Sequence, residues 1–475
     1  MNSIEYIKKA KNGEIDIVEN TKKTLEEIKK IDQEYNYFIN IDEKYSLNQA
    51  EKISKSKKKG KLHGLPISIK DCVCVKDLES KAGSKILEGY KPVYDATVIQ
   101  KIKDEGGIII GKTQQDVFGF GSFNTNVGKG YKIPKNPFDK ERTTGGSSGG
   151  GSGITKKIEM PHIAVTESTG GSIAAPASYC GVIGLCPTYG RVSRYGLMTY
   201  SNSMDKIGVT SKDIEEIALM TSVISGYDRK DSTSKKIEIP DYTKKKYDKL
   251  KLVLVKESIN EGVEEGVSKN LINLIDKIKY DYVSMPLNFK YSIQVYYLCT
   301  MSEVSTNLSM LCGMRYGMHE KLEGNFNEYF SKVRSNNFVK EAKRRIIIGT
   351  FARMSGFRDA YYLKALKVRT KIIEEYKKIF KKYDLIITPS MPNIAPKFSD
   401  INKMTPLENY MTDIMTAGPN LAGFPHISIP SGFSKDMPTG LLAVANHFQE
   451  HKLIDFARSL KKWQINLMMK QKLLI

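Results

Sequence analysis

The sequence has no apolar run long enough to cross a lipid bilayer. Its N-terminus is interrupted by charged residues, among them Glu5, Lys8 and Lys9, which excludes the apolar segment of a secretory signal peptide. We therefore expect a cytoplasmic protein with no membrane partner.

Cysteine is scarce, and no two cysteines have the C-x-x-C spacing of a metal or redox site. We expect the six thiols to be free. The segment His447–His451 fits an H-x-x-E-H zinc pattern, but it directly follows a strand-like run and no further acidic ligand is identifiable, so we predict exposed polar residues and no metal site. No Gly-Lys-Thr or Gly-Lys-Ser follows the glycine-rich stretches, which disfavours a phosphate-binding loop.

Acidic residues are few compared with basic ones, 53 against 74, which leaves a net charge of +21. This charge suits a nucleic-acid partner, because neutralising phosphates releases counterions. It is equally typical of a solvated, lysine-rich surface, since the lysines are spread along the chain. Charge alone leaves both interpretations open.

Short continuous apolar runs predict buried strands, and helical patterns between them predict a mixed sheet covered by helices. The predicted strands are 37–41, 65–71, 108–110, 160–165, 252–255, 385–388, 427–429 and 441–445. A helical hairpin is expected over about 1–34, a helix over 95–105, a last helix over about 451–462, and a polar excursion over 227–249. We predict one domain spanning 1–475.

We predict a catalytic centre between Gly145 and Ser172. Two serine-bearing glycine loops, 145–150 and 169–172, flank the apolar run that contains His162. Glycine lets backbone N–H groups turn toward an anion or oxyanion, and the serines are candidate nucleophiles. Such clusters are also typical of turns and linkers, and His162 in an apolar run is typical of a core histidine. A serine nucleophile here therefore needs another base.

Lys70 ends the predicted strand 65–71 and is the candidate base. A desolvated lysine is more easily neutral, so a buried Lys70 can accept a proton directly or through a serine hydroxyl. We expect few carboxylates close to Lys70, with the Asp71 side chain pointing away from it. A lysine at a strand end is also typical of solvent-exposed or salt-bridged positions.

The order of these motifs resembles the amidase signature family. The resemblance rests on Gly145–Gly150, Thr169–Ile173, Pro176–Gly181 and the Ile-Lys-Asp setting of Lys70. It implies one large mixed sheet covered on both faces by helices. It also implies a Ser–cis-Ser–Lys triad, with Ser172 as nucleophile, Ser147 in a cis peptide and Lys70 as base. An oxyanion would be held by the backbone N–H groups of Thr169, Gly170, Gly171 and Ser172.

Further segments resemble the branch of this family that hydrolyses glutamine within tRNA-dependent amidotransferases: 187–197, 203–208, 343–346, 359–362 and 420–425. The resemblance implies release of ammonia for amidation of Glu-tRNA(Gln), Asp-tRNA(Asn) or both. Arg344 or Arg345 and Asp413 match positions for the charged ends of glutamine. The implied partners are B and C subunits and a misacylated tRNA, with no cofactor in this chain and ATP and Mg²⁺ on a partner subunit.

The sequence departs from the family at several positions. The interval from Ser147 to Ser172 is one residue longer than usual, which leaves Ser148 as an alternative bridging serine. Ser168 stands where an acid is common, and Ala174 where arginine is usual. Leu311 and Cys312 replace a Tyr-Asp pair expected near the glutamine pocket. A stand-alone amidase acting on small amides and a non-catalytic scaffold therefore remain alternatives.

Overall fold

The computed structural model describes residues 1–247, 249–260 and 262–472, with side chains up to residue 461. Within this part of the chain eleven strands form one sheet. The strands are β1 (Phe38–Asn40), β2 (Pro66–Lys70), β3 (Ile108–Thr113), β4 (Ile163–Ser168), β5 (Ile183–Cys186), β6 (Lys206–Ser211), β7 (Leu252–Val255), β8 (Tyr280–Val283), β9 (Leu385–Pro389), β10 (His426–Ser434) and β11 (Met437–Ala445).

The helices are α1 (Ser3–Asn12), α2 (Ile17–Tyr35), α3 (Glu43–Ser54), α4 (Thr97–Asp104), α5 (Gly149–Lys157), α6 (Ala174–Tyr179), α7 (Ile214–Ile224), α8 (Glu265–Ile275), α9 (Pro286–Asn307), α10 (Phe326–Asn337), α11 (Lys340–Arg353), α12 (Lys364–Ile379), α13 (Phe398–Ile401), α14 (Pro406–Met411), α15 (Ile414–Ala422) and α16 (Glu450–Lys472). In the described chain, no helix combines the length and apolar character needed to cross a membrane.

The strand order is β1-β3-β2-β4-β6-β5-β10-β11-β9-β7-β8. The first six strands of the chain form one half of the sheet, the last five form the other, and the halves meet where β5 pairs with β10. β2 is parallel to both β3 and β4, and β7 is parallel to β8 and β9, whereas the remaining pairs are antiparallel. The predicted mixed sheet is confirmed.

Both faces of the sheet are covered by apolar packing. Alternate residues of β7 belong to different apolar clusters: Leu252 and Leu254 to one that also contains residues of α2, α7 and α16, and Val253 and Val255 to one that also contains residues of α9, α12 and α15. Because successive strand residues point to opposite faces, the two clusters lie on opposite sides of the sheet. Burying each face against helices is what holds a central strand of this kind in place.

The glycine-rich segment after Ser148 is a helix, where the sequence suggested a loop. α5 contains four glycines, at 149, 150, 151 and 153, and packs against the buried ring of Tyr37. A Cβ atom on Gly153 would lie 2.6 Å from Tyr37 Cζ, so only glycine permits this approach. Tertiary packing therefore overrides the low helix propensity of glycine.

Strands β5, β6 and β8 were not predicted. β6 begins with Lys206 and ends in Thr210 and Ser211, yet all six of its residues are buried. Its central position between β4 and β5 explains the burial. The polar residues of β6 made this buried strand hard to identify from the sequence.

Candidate active site

The site forms where two parallel neighbours end at the same edge of the sheet. β2 ends on Lys70, and β4 runs beside it with Ile69 opposite Val165. The loop 169–172 leaves β4 immediately after Ser168. Carboxyl ends of parallel strands meet at one edge, which brings the predicted base close to the predicted nucleophile loop.

Lys70 is fully buried, and its Nζ has three acceptors. Ser147 Oγ lies at 2.7 Å, and the carbonyl oxygen and Oε2 of Glu167 each lie at 2.9 Å. The expectation of little carboxylate company was wrong, because Glu167 on β4 forms a buried ion pair with the lysine. Asp71 does turn away: its Oδ2 accepts from the N–H groups of Lys81 and Gly83.

Ser147 contacts the lysine directly. The peptide bond between Gly146 and Ser147 is cis, and Ser147 Oγ contacts Lys70. The Ser148 hydroxyl instead donates to the Glu167 carbonyl at 2.9 Å, while the Ser148 N–H donates to the carbonyl of Ser172 at 3.2 Å. The structure thus places Ser147, and not Ser148, against the base.

Asp116 supports the cis-peptide segment from behind and was not identified from the sequence. Its carboxylate accepts from the N–H groups of Asn124 and Asn126, each at 2.9 Å. Its N–H donates to the carbonyl of Ser147 at 3.3 Å. Burial raises the pKa of Asp116 to about 6, in spite of those two N–H donors.

The backbone N–H groups of the loop 169–172 have no acceptor within the described part of the chain. Among the described residues, none of the N–H groups of Thr169, Gly170, Gly171 and Ser172 donates a hydrogen bond. A Cβ on Gly170 would lie 2.6 Å from the Tyr296 hydroxyl, and one on Gly171 would lie 2.9 Å from Asp413 Oδ1. Glycine is required at both positions, and free donors fixed by a rigid loop are what an oxyanion site needs.

Asp413 lies beside this loop, at the start of α15. Its Oδ2 accepts from Ser122 Oγ and from the Tyr297 hydroxyl, each at 2.9 Å. Burial raises the pKa of Asp413, partly offset by these two hydrogen bonds. The predicted acidic residue therefore reaches the site from the second half of the sheet.

Arg344 and Arg345 have different surroundings, although they are adjacent on α11. Both pair with Glu341. Arg345 is buried, bonds to the Tyr200 hydroxyl and stands over four aromatic rings, those of Phe120, Tyr200, Tyr297 and Tyr410. The Arg344 side chain is 31% exposed. A cavity of about 520 Å³ is lined by both arginines, by Ser122 and by the exposed Lys340, and of the two arginines Arg344 is the one that meets solvent there.

The structure gives the local surroundings of the positions at which the sequence departs from the family, beginning with Ser168 and Ala174. The Ser168 hydroxyl donates to the carbonyl of Gly170 at 2.5 Å, and so braces the nucleophile loop without an acid. Ala174 is fully buried at the start of α6. Leu311 is buried in the main apolar cluster and Cys312 is half-buried, and neither is among the described residues that line the cavity.

Both histidines of the 447–451 pattern bond to groups of the protein. His447 bonds to the carbonyl of Ala422 and His451 to the Tyr247 hydroxyl. Glu450 is fully buried and accepts from the N–H of Thr188 at 2.9 Å, and the other four residues of the pattern are only partly exposed, so the expectation of exposed polar residues was wrong. The part of the chain that the structure describes contains no cluster of His, Cys, Asp and Glu suited to a metal, and all six cysteines are free.

The chain belongs to the amidase family. The family model described as Amidase matches residues 19–454, so the resemblance predicted from the motifs is confirmed.

Within this family, the chain is similar to A subunits of glutamyl-tRNA(Gln) amidotransferases. The chain is 42% identical over 466 residues to the A subunit of the glutamyl-tRNA(Gln) amidotransferase of Clostridium botulinum (strain Alaska E43 / Type E3), covering 95% of each chain. It is 40% identical to the A subunit of the glutamyl-tRNA(Gln) amidotransferase of Carboxydothermus hydrogenoformans, covering 96% of each. The crystal structure of the corresponding A subunit from Thermotoga maritima superimposes with a TM-score of 0.78 at 34% identity, covering 94% of this chain and 91% of that one. A bacterial aryl acylamidase at 18% identity shares the fold, with a TM-score of 0.82.

Proposed function

We propose that this chain is the glutamine-hydrolysing A subunit of a tRNA-dependent amidotransferase. The observation that carries the proposal is the identity of about 40% to such A subunits over nearly the full length of both chains. The buried contact between Lys70 and Ser147 supports a catalytic role over that of a scaffold, because a scaffold has no need of a buried base.

In this mechanism Ser172 Oγ attacks the side-chain amide carbon of glutamine, and its proton passes through the Ser147 hydroxyl to neutral Lys70. The tetrahedral oxyanion is held by the unpaired N–H groups of residues 169–172, each of which is worth about 3–4 kcal/mol in a preorganised site. Lys70 returns the proton through Ser147 to the leaving nitrogen. Ammonia departs, and water then hydrolyses the glutamyl ester on Ser172.

Glutamine also carries an α-ammonium and an α-carboxylate, which need one fixed anion and one fixed cation. Asp413 is the proposed anion, because its Oδ1 faces the nucleophile loop at Gly171. Arg344 is the proposed cation at the cavity, and Arg345 fixes the aromatic wall behind it. Binding both ends of the substrate places its amide carbon at Ser172.

The ammonia goes to a B subunit that activates the glutamate or aspartate of a misacylated tRNA with ATP and Mg²⁺, while a C subunit joins the pair. This chain contributes no cofactor of its own to that cytoplasmic complex. The tRNA is Glu-tRNA(Gln), Asp-tRNA(Asn) or both.

The test is glutamine hydrolysis by the purified chain, alone and with B and C subunits, ATP, Mg²⁺ and misacylated tRNA. We expect slow turnover alone and faster turnover in the complete mixture, with amide nitrogen from labelled glutamine recovered in the aminoacyl-tRNA. Equal rates with and without the partners would contradict the proposal. Faster hydrolysis of small aryl or aliphatic amides than of glutamine would establish a stand-alone amidase instead.

A further inference from the structure

Glu167 is a buried carboxylate at the catalytic centre with no role in the mechanism above. It lies on β4, only 3% exposed, and its Oε2 is 2.9 Å from Lys70 Nζ. A buried carboxylate loses much solvation, so its placement against the base needs a physical reason.

The reason lies in the three acceptors around Lys70. Ser147 Oγ, the Glu167 carbonyl and the Glu167 carboxylate together match the three donors of a lysine ammonium. An ammonium cannot take a proton from Ser147, so one proton must leave before Lys70 acts as a base. Of the three acceptors, only the carboxylate can hold that proton as a covalent O–H.

The other side of Glu167 is fixed by a second carboxylate. Thr169 Oγ1 lies 3.0 Å from Glu167 Oε1 and 2.7 Å from Asp205 Oδ1. One hydroxyl proton cannot satisfy two carboxylates, so a further proton is required between them. Burial, and next the charge of Glu167, raise the pKa of Asp205 well above its usual value, which places that proton on Asp205.

In this arrangement Asp205 donates to Thr169, Thr169 donates to Glu167 Oε1, and Glu167 Oε2 faces Lys70. The backbone N–H groups of Tyr200 and Ser201 hold Asp205 Oδ2 at 2.8 and 3.0 Å. Four more ionisable side chains face this chain of contacts, namely Asp116, Arg194, Cys72 and Cys186. Burial raises the pKa of both thiols, so neither competes for the proton near neutral pH.

We propose that Glu167 is a positioning residue that receives a proton from Lys70, so that the base of this site is a lysine–glutamate pair oriented by Thr169 and Asp205. One N–H bond of the Lys70 ammonium breaks and one O–H bond forms on Glu167 Oε2, which leaves a neutral amine facing Ser147. The total proton count is unchanged, and both partners become neutral in a site where buried charges are costly. The inference rests on the proposed function, which assigns Lys70, Ser147 and Ser172 their roles.

The test measures how fast a fluorophosphonate probe phosphorylates Ser172 as a function of pH, read by intact mass and peptide mapping. The Ser172 oxygen bonds to phosphorus, fluoride leaves, and the serine proton follows the same route through Ser147. In the wild-type protein the pair stops acting as a base only when it takes up a second proton, which leaves Lys70 as an ammonium and Glu167 as a carboxylic acid. We therefore expect this second protonation of the pair to set the acid limb of the wild-type labelling profile.

In Glu167→Gln the proton of Lys70 can go only to solvent. Ammonium groups release protons at higher pH than carboxylic acids. We expect the acid limb of the labelling profile to move up by at least about one pH unit, with the rate falling about tenfold per unit below it. An unchanged limb, with or without a lower plateau, would overturn the inference, because a purely structural role scales the rate at every pH.

Two further variants keep the test interpretable if Glu167→Gln is unstable. Glu216→Gln removes another buried glutamate, which bonds to the Ser3 N–H on α1 and the Ser211 hydroxyl, and should leave the limb in place. Asp205→Asn preserves a donor to Thr169, so we expect a wild-type limb there too, and a limb shifted as in Glu167→Gln would refute a protonated Asp205.

The probe needs no glutamine, so the two proposals can fail separately. A shifted limb in a protein that hydrolyses small amides faster than glutamine supports the pair and refutes the amidotransferase role. An unshifted limb in a protein that supplies ammonia to tRNA refutes the pair alone.

Discussion

Replacing Gly153 with alanine would force a methyl group into the ring of Tyr37. The added Cβ would lie 2.6 Å from Cζ and 2.7 Å from Cδ1, well inside van der Waals contact. The ring cannot yield easily, because Tyr37 is fully buried, stacks on Tyr35 and donates its hydroxyl to the Lys135 carbonyl at 2.9 Å. The helix must move instead.

The change in unfolding free energy of Gly153→Ala follows from two opposed effects. Alanine in a helix interior is favoured over glycine by about 1 kcal/mol. Overpacking a rigid core site costs about 1–3 kcal/mol, and the fixed ring places this site at the upper end. We expect Gly153→Ala to lose about 2 kcal/mol of unfolding free energy. Because α5 begins directly after Ser148, close to the bridging Ser147, the displaced helix should also slow the labelling of Ser172.

Gly151→Ala is the matched control in the same helix. Its Cβ would meet Thr166 Cγ2 at 3.1 Å and Ala164 Cβ at 3.5 Å, contacts that a slight adjustment relieves. We expect stability equal to wild type or higher by up to about 1 kcal/mol. Urea unfolding followed by circular dichroism compares the two variants. If Gly153→Ala unfolds at the same urea concentration as Gly151→Ala, the packing argument is refuted.

Three further predictions concern the catalytic centre. Lys70→Arg keeps the charge but cannot deprotonate, so glutamine turnover should fall by at least about a hundredfold, and near-native turnover would contradict its role as base. Ser147→Ala should abolish turnover and Ser172 labelling, whereas Ser148→Ala should retain both, and mass spectrometry of the labelled peptide checks the site; the reverse pattern would make Ser148 the bridge. Because the pKa of Asp116 is raised in the folded protein, its stabilising contribution is present below about pH 4 and lost as pH rises through about 6, a loss of about 3 kcal/mol. Thermal melts should therefore depend less on pH between these values in Asp116→Asn than in wild type, and parallel profiles would contradict this.

The sequence predicts the fold well where one periodicity dominates. Strands β2, β3 and β7 are short apolar runs bounded by polar residues, and each was found at its expected place. α5 could not be predicted, because its stability comes from contact with Tyr37, more than a hundred residues away in the chain. Local propensity at Gly149–Gly153 gives the opposite answer.

The candidate site was predictable in its motifs but not in its charge balance. Lys70, Ser147 and the loop 169–172 were identified from their order in the sequence. Glu167 was missed, although one signal was available: a glutamate inside an otherwise apolar and hydroxyl-bearing strand needs a buried partner. Only the parallel pairing of β2 with β4 shows that the partner is Lys70.

The candidate reacting groups lie in one half of the two-part sheet, and most of the candidate substrate-binding side chains come from the other half. Lys70, Ser147 and Ser172 all belong to the half built from β1–β6, whereas Tyr297, Arg344 and Asp413 come from the later half of the gene. Substitutions after β6 can therefore change one part of the cavity lining, while the reacting groups and the part that contains Phe120 and Ser122 keep their places. A family member can thus keep the same amide-cleaving residues and acquire a new amide substrate through substitutions in one contiguous stretch of sequence.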